Sequence, residues 1–461
     1  MPEGAAFGVA FLWLLSLASK ESVGRRQADG NALSKARWNY NATTRSRSWI
    51  PAFAGMTSKR DEQRATANDL MDLSYILNHL GEEDRAAHRG AVSPPIYQTS
   101  IFAFDTVAAM RDGFADELDR TVYTRGNNPT VEILRKKLAA LEGAEDALLF
   151  GSGAAAVAAG VMACVGAGDH VVCVQKPYSW TRALVRDLLA RYGVTHTFVD
   201  ARDTAQVEAA LTPATRLIVL ESPNTMTYEQ QDLAALAALA RSRGIRTLCD
   251  NSYATPLNQS PLAFGIDLVV HSATKYLNGH CDVMAGVVCG SKELVREVFR
   301  GPYMTLGAML SPHDAWLLIR GLRTLPVRLK QIAASTTIVI DWLRQHPKIE
   351  QLWYPQDVNN PQHALTQTQL RGASGLFSCT IRCETTSAIE RFCESLERFL
   401  MAVSWGGYES LVFPVAAVYP PDTRVGLERA GQVPVNLVRF SIGLEEPEVL
   451  IADLAQALDR I

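Results

Sequence analysis

"RTLCDNSYATPLNQSPLAFGIDLVVHSATK", residues 246–275, holds two short apolar runs, each ending in polar chemistry. The first, RTLCDN (246–251), closes on Asp250; the second, IDLVVHSATK (266–275), closes on Ser272, Thr274 and Lys275. Their apolar cores are continuous rather than alternating, which marks strands covered on both faces, the pattern of a parallel sheet. Working outward, DHVVCV (169–174) and TRLIVLESP (215–223) read as further strands. TRALVRDLLARYG (181–193) and DLAALAALARSRG (232–244) read as the intervening helices, the latter closed by a glycine. PTVEILRKKLAALEGAEDALLF (129–150) reads as a proline-started helix running into a short strand. The alternation predicts an α/β fold: a mostly parallel sheet flanked by helices. Ligands in such sheets bind beyond the carboxyl ends of the strands, where Asp250 and Ser272 to Lys275 fall.

The pattern changes on either side. VSPPIYQTSIFAF (92–104) is Pro-rich and extended, an arm rather than a core helix. GLRTLPVRLKQIAASTTIVIDWLRQHP (321–347) is a long helical stretch in which Pro326 implies a kink or a boundary. GLFSCTIRC (375–383) and LVRFSIG (437–443) read as strands and PEVLIADLAQALDRI (447–461) as a closing amphipathic helix, so a smaller α+β domain ends the chain. The expected organisation is an extension over 1–68, an arm over 69–127, a ligand-binding domain over 128–322 and the α+β domain over 323–461.

The chain has 461 residues, 48% hydrophobic and 20% charged, with a net charge of −3, an ordinary globular composition that calls for neither nucleic acid nor an anionic membrane. The eight cysteines fall between Cys164 and Cys393 without C-x-x-C spacing, several inside apolar strands, as expected for reduced thiols in the cytoplasm. Residues 5–18, AAFGVAFLWLLSLA, resemble the apolar part of an export signal, but only Glu3 precedes them and no basic residue does. Residues 1–64 carry ten Lys and Arg against five Asp and Glu and show no periodicity. That segment is therefore read as a disordered extension or a start placed too far upstream.

A lysine ending an apolar run is an amine half removed from water. Such an amine loses its proton easily and can join an aldehyde as a Schiff base. Pyridoxal phosphate supplies that aldehyde, and its further needs can be checked against the chain. Its ring nitrogen wants a carboxylate: Asp250. Its phosphate wants the free N–H groups of a helix start: FGSGAAAVAAGVMA (150–163) offers a Gly-Ser-Gly turn with Gly153 and Ala154 heading an Ala-rich helix, and Ser272 and Thr274 could add hydroxyls. The ring wants an aromatic face, and Tyr178 in KPYSWTR (176–182) follows a strand. An amino-acid carboxylate wants a bidentate arginine, and Arg439 lies inside the strand-like LVRFSIG. His280, Cys281 and Cys289 have no second ligand pair at metal-site spacing, so no metal is expected. Phosphate loops of the nucleotide-binding type are absent from the sequence.

Taken together, DLVVHSATKYLNGHCDVMAG (267–286), YTRGNNPT (123–130), LFGSGAAAV (149–157), SPHDAWLLIRGLRTL (311–325), SWGGYESL (404–411) and VRFSIGLEE (438–446) resemble the cysteine/methionine-metabolism family of pyridoxal-phosphate enzymes, the cystathionine lyases and synthases. The resemblance covers about residues 70–461. It implies the pyridoxal-phosphate transferase fold of the aspartate-aminotransferase type, with seven strands in the main sheet. It also implies roles. Lys275 would carry the cofactor and shuttle protons, with Tyr178 as a second catalytic group that stacks on the ring. Asp250 would pair the ring nitrogen, and Gly153, Ala154, Ser272 and Thr274 would hold the phosphate. Tyr123 and Arg125 would reach the phosphate in a neighbouring subunit, making a homodimer the smallest active unit and a homotetramer the expected assembly. Arg439, with Ser404 and Trp405, would bind the substrate carboxylate. SWGGYESL resembles the cystathionine β-lyases, which implies carbon–sulfur β-cleavage of cystathionine to homocysteine, pyruvate and ammonia. The alternatives are γ-cleavage or γ-synthesis, or β-cleavage of cysteine S-conjugates, within the same family. A non-catalytic binding protein is the remote alternative, disfavoured because Lys275 and Asp250 are both present.

Overall fold

The computed structural model describes residues 72–426 and 433–461. The expected extension over 1–68, with its apolar run, lies outside the described residues. The larger sheet has seven strands: β1 (Asp146–Phe150), β2 (His170–Val174), β3 (Thr195–Val199), β4 (Thr215–Glu221), β5 (Arg246–Asp250), β6 (Leu268–His271) and β7 (Gly286–Gly290). Their order is β1-β7-β6-β5-β4-β2-β3. Strand β7 runs antiparallel to both β1 and β6, and the remaining pairs are parallel. The sheet is thus the mostly parallel, helix-flanked α/β structure expected from the sequence. Strands β3 and β7 are additions to that reading. Strand β3 lies at the sheet edge with no fully buried residue, so THTFV lacks the apolar signal. Strand β7, GVVCG, is short and bounded by glycines.

Parallel pairing brings the carboxyl ends of β4, β5 and β6 to one side. There Glu221 lies opposite Asp250, and Asp250 opposite Val270. Strand β6 stops at His271, four residues before Lys275. The apolar run ends there, and small polar residues fold into a turn in which the Lys275 N–H donates to the Ser272 carbonyl (3.1 Å) and the Gly279 N–H to the Lys275 carbonyl (2.8 Å). The lysine therefore stands on a tight turn above the sheet, not on the strand itself.

The helix Gly153–Met162 follows β1 and buries Ala156, Val157, Ala159 and Val161. Its N-cap is Ser152, whose Oγ accepts from the Ala155 N–H (3.1 Å). The expected helix over 181–193 is present as three consecutive short helical segments, Ser179–Ala183, Leu184–Leu188 and Leu189–Tyr192.

A second sheet holds β8 (Ile349–Trp353), β9 (Leu376–Ile381), β10 (Leu400–Met401), β11 (Leu411–Pro414) and β12 (Leu437–Ser441), in the order β10-β11-β12-β9-β8. Between the sheets runs the helix Leu325–Gln345. Pro326 lies in its first turn, where the missing N–H costs nothing, so the proline starts this helix and does not kink it. The smaller core gathers around Phe440, whose ring meets those of Phe377, Phe392 and Phe399. Side chains alternate along β12, so Val438 and Phe440 enter that core and Arg439 points the other way, where it meets Thr225 and Ser404. All eight cysteines are unpaired, and no helix among the described residues is long and apolar enough to cross a membrane.

Candidate active site

The amine of Lys275 donates to Ser404 Oγ at 2.5 Å, joining the turn after β6 to a loop that precedes β11 of the smaller sheet. Burial, and then the positive charge of Arg439, lower the lysine pKa to about 8, against the opposing pull of Asp250. The amine is unprotonated above that value. The rate at which the cofactor-free chain takes up pyridoxal phosphate should therefore rise with pH to a midpoint near 8. An ordinary exposed lysine would place the midpoint at about 10.4. Stopped-flow absorbance across pH 6 to 10 is the check.

Ser404 has φ +78°, a left-handed conformation that is uncommon for a residue with a side chain. At Gly406, also left-handed, a Cβ would lie 2.8 Å from the Tyr276 nitrogen, so only glycine lets this loop press on the lysine turn. Trp405 is buried between them. Its ring centroid lies 5.3 Å from that of Tyr276 and 5.6 Å from Lys275 Nζ. The tryptophan forms a wall beside the amine.

Asp250 Oδ1 accepts from the Ser252 N–H (2.9 Å) and hydroxyl (2.6 Å), while Ser252 Oγ accepts from the Ser272 N–H (2.6 Å). Ser252 thus fixes the carboxylate relative to the lysine turn. Burial raises the Asp250 pKa. Beside it, Glu221 is pushed up to about 8 by burial and by the Asp250 charge. Glu221 and Ser252 belong to this cluster, and sequence reading singled out neither. Glu221 is visible only as the last residue of an apolar strand, and its neighbour is set by cross-strand register.

Tyr178 is 40% exposed and precedes the helix Ser179–Ala183; its own N–H donates to Glu221 Oε2 at 2.5 Å. Its phenol is raised by burial and by the nearby charges of Asp250 and Glu221. Gly153 abuts Ser272: a Cβ on the glycine would lie 2.7 Å from Ser272 Cβ. The helix start and the lysine turn thus form one cradle. Among the described residues, the N–H groups of Gly153 and Ala154 and the Ser272 hydroxyl make no hydrogen bond. Thr274 differs, since its hydroxyl donates to the Ala285 carbonyl (3.2 Å) and accepts from the Ala285 N–H (2.9 Å). Tyr123, 44% exposed, carries the Arg125 guanidinium 5.5 Å from its ring centroid. The pair lies on an open face, apart from the Lys275 cluster in the described hydrogen bonds.

Arg439 is 8% exposed. Its Nη1 donates to Thr225 Oγ1 (3.2 Å) and its Nη2 to the Ser404 carbonyl (3.2 Å), and the Phe413 ring lies 5.1 Å away. Among the described residues, Arg439 and Lys275 form no ion pair with a carboxylate, and Asp250 none with a cation. A buried charge without a partner is costly. The site therefore asks for a ligand with a cation at Asp250, an anion at the Gly153 cradle, a carbonyl at Lys275 and a second anion at Arg439. Pyridoxal phosphate fits the first three demands and an α-amino acid the fourth. Among the described residues no cluster of three metal-ligating side chains occurs.

The model of the Cys/Met metabolism PLP-dependent enzymes matches residues 76–459. L-methionine gamma-lyase of Porphyromonas gingivalis is 39% identical over 84% of this chain and 98% of its own length. Cystathionine gamma-lyase of Bacillus subtilis is 37% identical over 81% of this chain and 95% of its own. The crystal structure of metB from Corynebacterium glutamicum superposes with a TM-score of 0.77 at 32% identity, covering 85% of this chain and 98% of that one.

Proposed function

The chain belongs to the Cys/Met metabolism PLP-dependent enzyme family, and from that premise we propose that it is a carbon–sulfur lyase acting on a thioether L-amino acid. The observation that carries the reading is the half-buried Lys275 amine, bonded to Ser404 and lying within the fields of Arg439 and Asp250. Pyridoxal phosphate, when bound, supplies the aldehyde that takes the substrate amine and a ring that accepts electron density from Cα. The protein does the rest. Arg439 holds the substrate carboxylate and so aims the Cα–H bond. Lys275, neutral above about pH 8, takes that proton. Asp250 keeps negative charge beside the ring nitrogen, and Tyr178 covers the ring and stands as a second proton donor to the leaving sulfur. Tyr123 and Arg125, exposed on the arm, are read as reaching a second copy's phosphate in a homodimer or larger assembly.

The relatives support γ-cleavage as the first reading, since both are named γ-lyases. β-Cleavage is the second reading, favoured by one observation: Trp405 of the SWGGYESL motif stands 5.6 Å from the Lys275 amine. Cystathionine separates them. With the purified enzyme, cysteine and 2-oxobutyrate should appear; homocysteine and pyruvate would transfer the reading to β-cleavage. Release of neither keto acid from cystathionine or methionine would overturn the lyase reading.

A further inference from the structure

Glu221 ends β4 beside Asp250, is 6% exposed, and forms no ion pair with a cation among the described residues. Both of its oxygens accept backbone N–H groups, Oε2 from Tyr178 (2.5 Å) and Oε1 from Thr225 (2.9 Å). These two residues belong to different loops with different tasks. The Tyr178 phenol feels the charges of Asp250 and Glu221, and its segment has no side-chain cap to fix it. Thr225 holds Arg439 through its hydroxyl (3.2 Å) and carbonyl (3.5 Å). From Arg439 the bonds continue to Ser404 and on to Lys275. One carboxylate therefore fastens the ring-covering loop and the arginine-holding loop to the same strand end.

We propose that Glu221 is a positioning residue that sets cofactor affinity through Tyr178 and substrate-carboxylate affinity through Thr225 and Arg439. A carboxyl group suits this because, ionised or protonated, each of its oxygens keeps a lone pair for one of the two N–H groups. Glutamine of the same shape must turn its NH₂ against one of the two N–H groups. A buried donor left unpaired is worth about a tenfold change in an equilibrium constant or more. Thr225 gives an independent handle: valine keeps its shape and loses only the hydroxyl bond to Arg439.

The inference rests on the cofactor reading above, and the experiment separates the two. In the full chain, Glu221→Gln and Thr225→Val are compared with wild type for the pyridoxal phosphate dissociation constant, KM and kcat on cystathionine, and thermal midpoint. Glu221→Gln should weaken the cofactor about tenfold and raise KM about tenfold, with kcat within about threefold of wild type. Thr225→Val should raise KM alone, with Thr225→Ser restoring it. If Glu221→Gln does not fold, Glu221→Asp keeps the carboxyl group but is one methylene short, reaches one loop, and should move one of the two constants. Wild-type values of both constants in a folded Glu221 variant, whatever its thermal midpoint, overturn the inference. A wild-type chain that binds no pyridoxal phosphate overturns the cofactor reading instead.

Discussion

Replacing Lys275 with alanine is expected to lower keto-acid release by about 10²- to 10⁴-fold, the range that a positioned base contributes. The substitution removes the amine that reaches Ser404 at 2.5 Å and leaves the rest of the cluster in place. Arg439 and its bonds to Thr225 and Ser404 are untouched, so the substrate carboxylate keeps its partner. That gives the variant a signature: substrate still binds, but turnover stops. Lys275→Arg adds a second check. It keeps a cation at the site but provides no group that can give up its proton near neutral pH, so it should be as inactive as alanine. Rapid-mixing assays of keto-acid release, with circular dichroism to verify folding, read all of this. An alanine variant that turns over at the wild-type rate would remove the base from the scheme.

Asp250→Asn has the second-largest expected effect, and it takes opposite signs in two states of the protein. Asparagine keeps the acceptor that Ser252 binds, so the local geometry survives. With the cofactor bound, a buried pair loses its anion, a change worth about 3–5 kcal/mol. Cofactor affinity and turnover together should fall by about two to three orders of magnitude. Without the cofactor the sign reverses. Burial raises the Asp250 pKa, so in the empty site the ionised form is held at a cost. A neutral isostere should therefore raise the thermal midpoint of the cofactor-free chain while lowering that of the loaded enzyme. Paired melts of both forms make the measurement. A fall in both forms would overturn this reading, because it would show that the Asp250 carboxylate stabilises the chain even without the cofactor.

The parts of this site legible in the sequence are those written locally. Lys275 and Asp250 end apolar runs, and a parallel sheet delivers such ends to one side, so the pattern that reveals the strands also reveals their positions. The glycine turn at 151–153 is legible because a helix start needs little beyond its own residues. Glu221 is not, because it matters through the strand beside it, and register is decided only when β4 and β5 pair. The bond from Arg439 to Thr225 spans more than two hundred residues and forms only when the second sheet closes on the first. Thr274, read as a phosphate ligand from its place before the lysine, also bonds Ala285, a partner across the loop that leads to β7, and that second contact is not written locally. That strand, antiparallel and bounded by glycines, was itself invisible. The identity of the bond cleaved lies beyond any motif. SWGGYESL points to β-cleavage and the relatives' names to γ-cleavage, and the choice depends on which carbon the amine of Lys275 can reach.

Trp405 has a use of its own. An indole whose ring centre lies 5.6 Å from the reactive amine is close enough to pass its excitation to any chromophore joined there. Its ultraviolet emission should dim as that chromophore arrives and brighten as it departs, and Trp405→Phe should abolish this part of the signal. The chain therefore carries a built-in optical probe of its own occupancy, at the residue that walls the lysine.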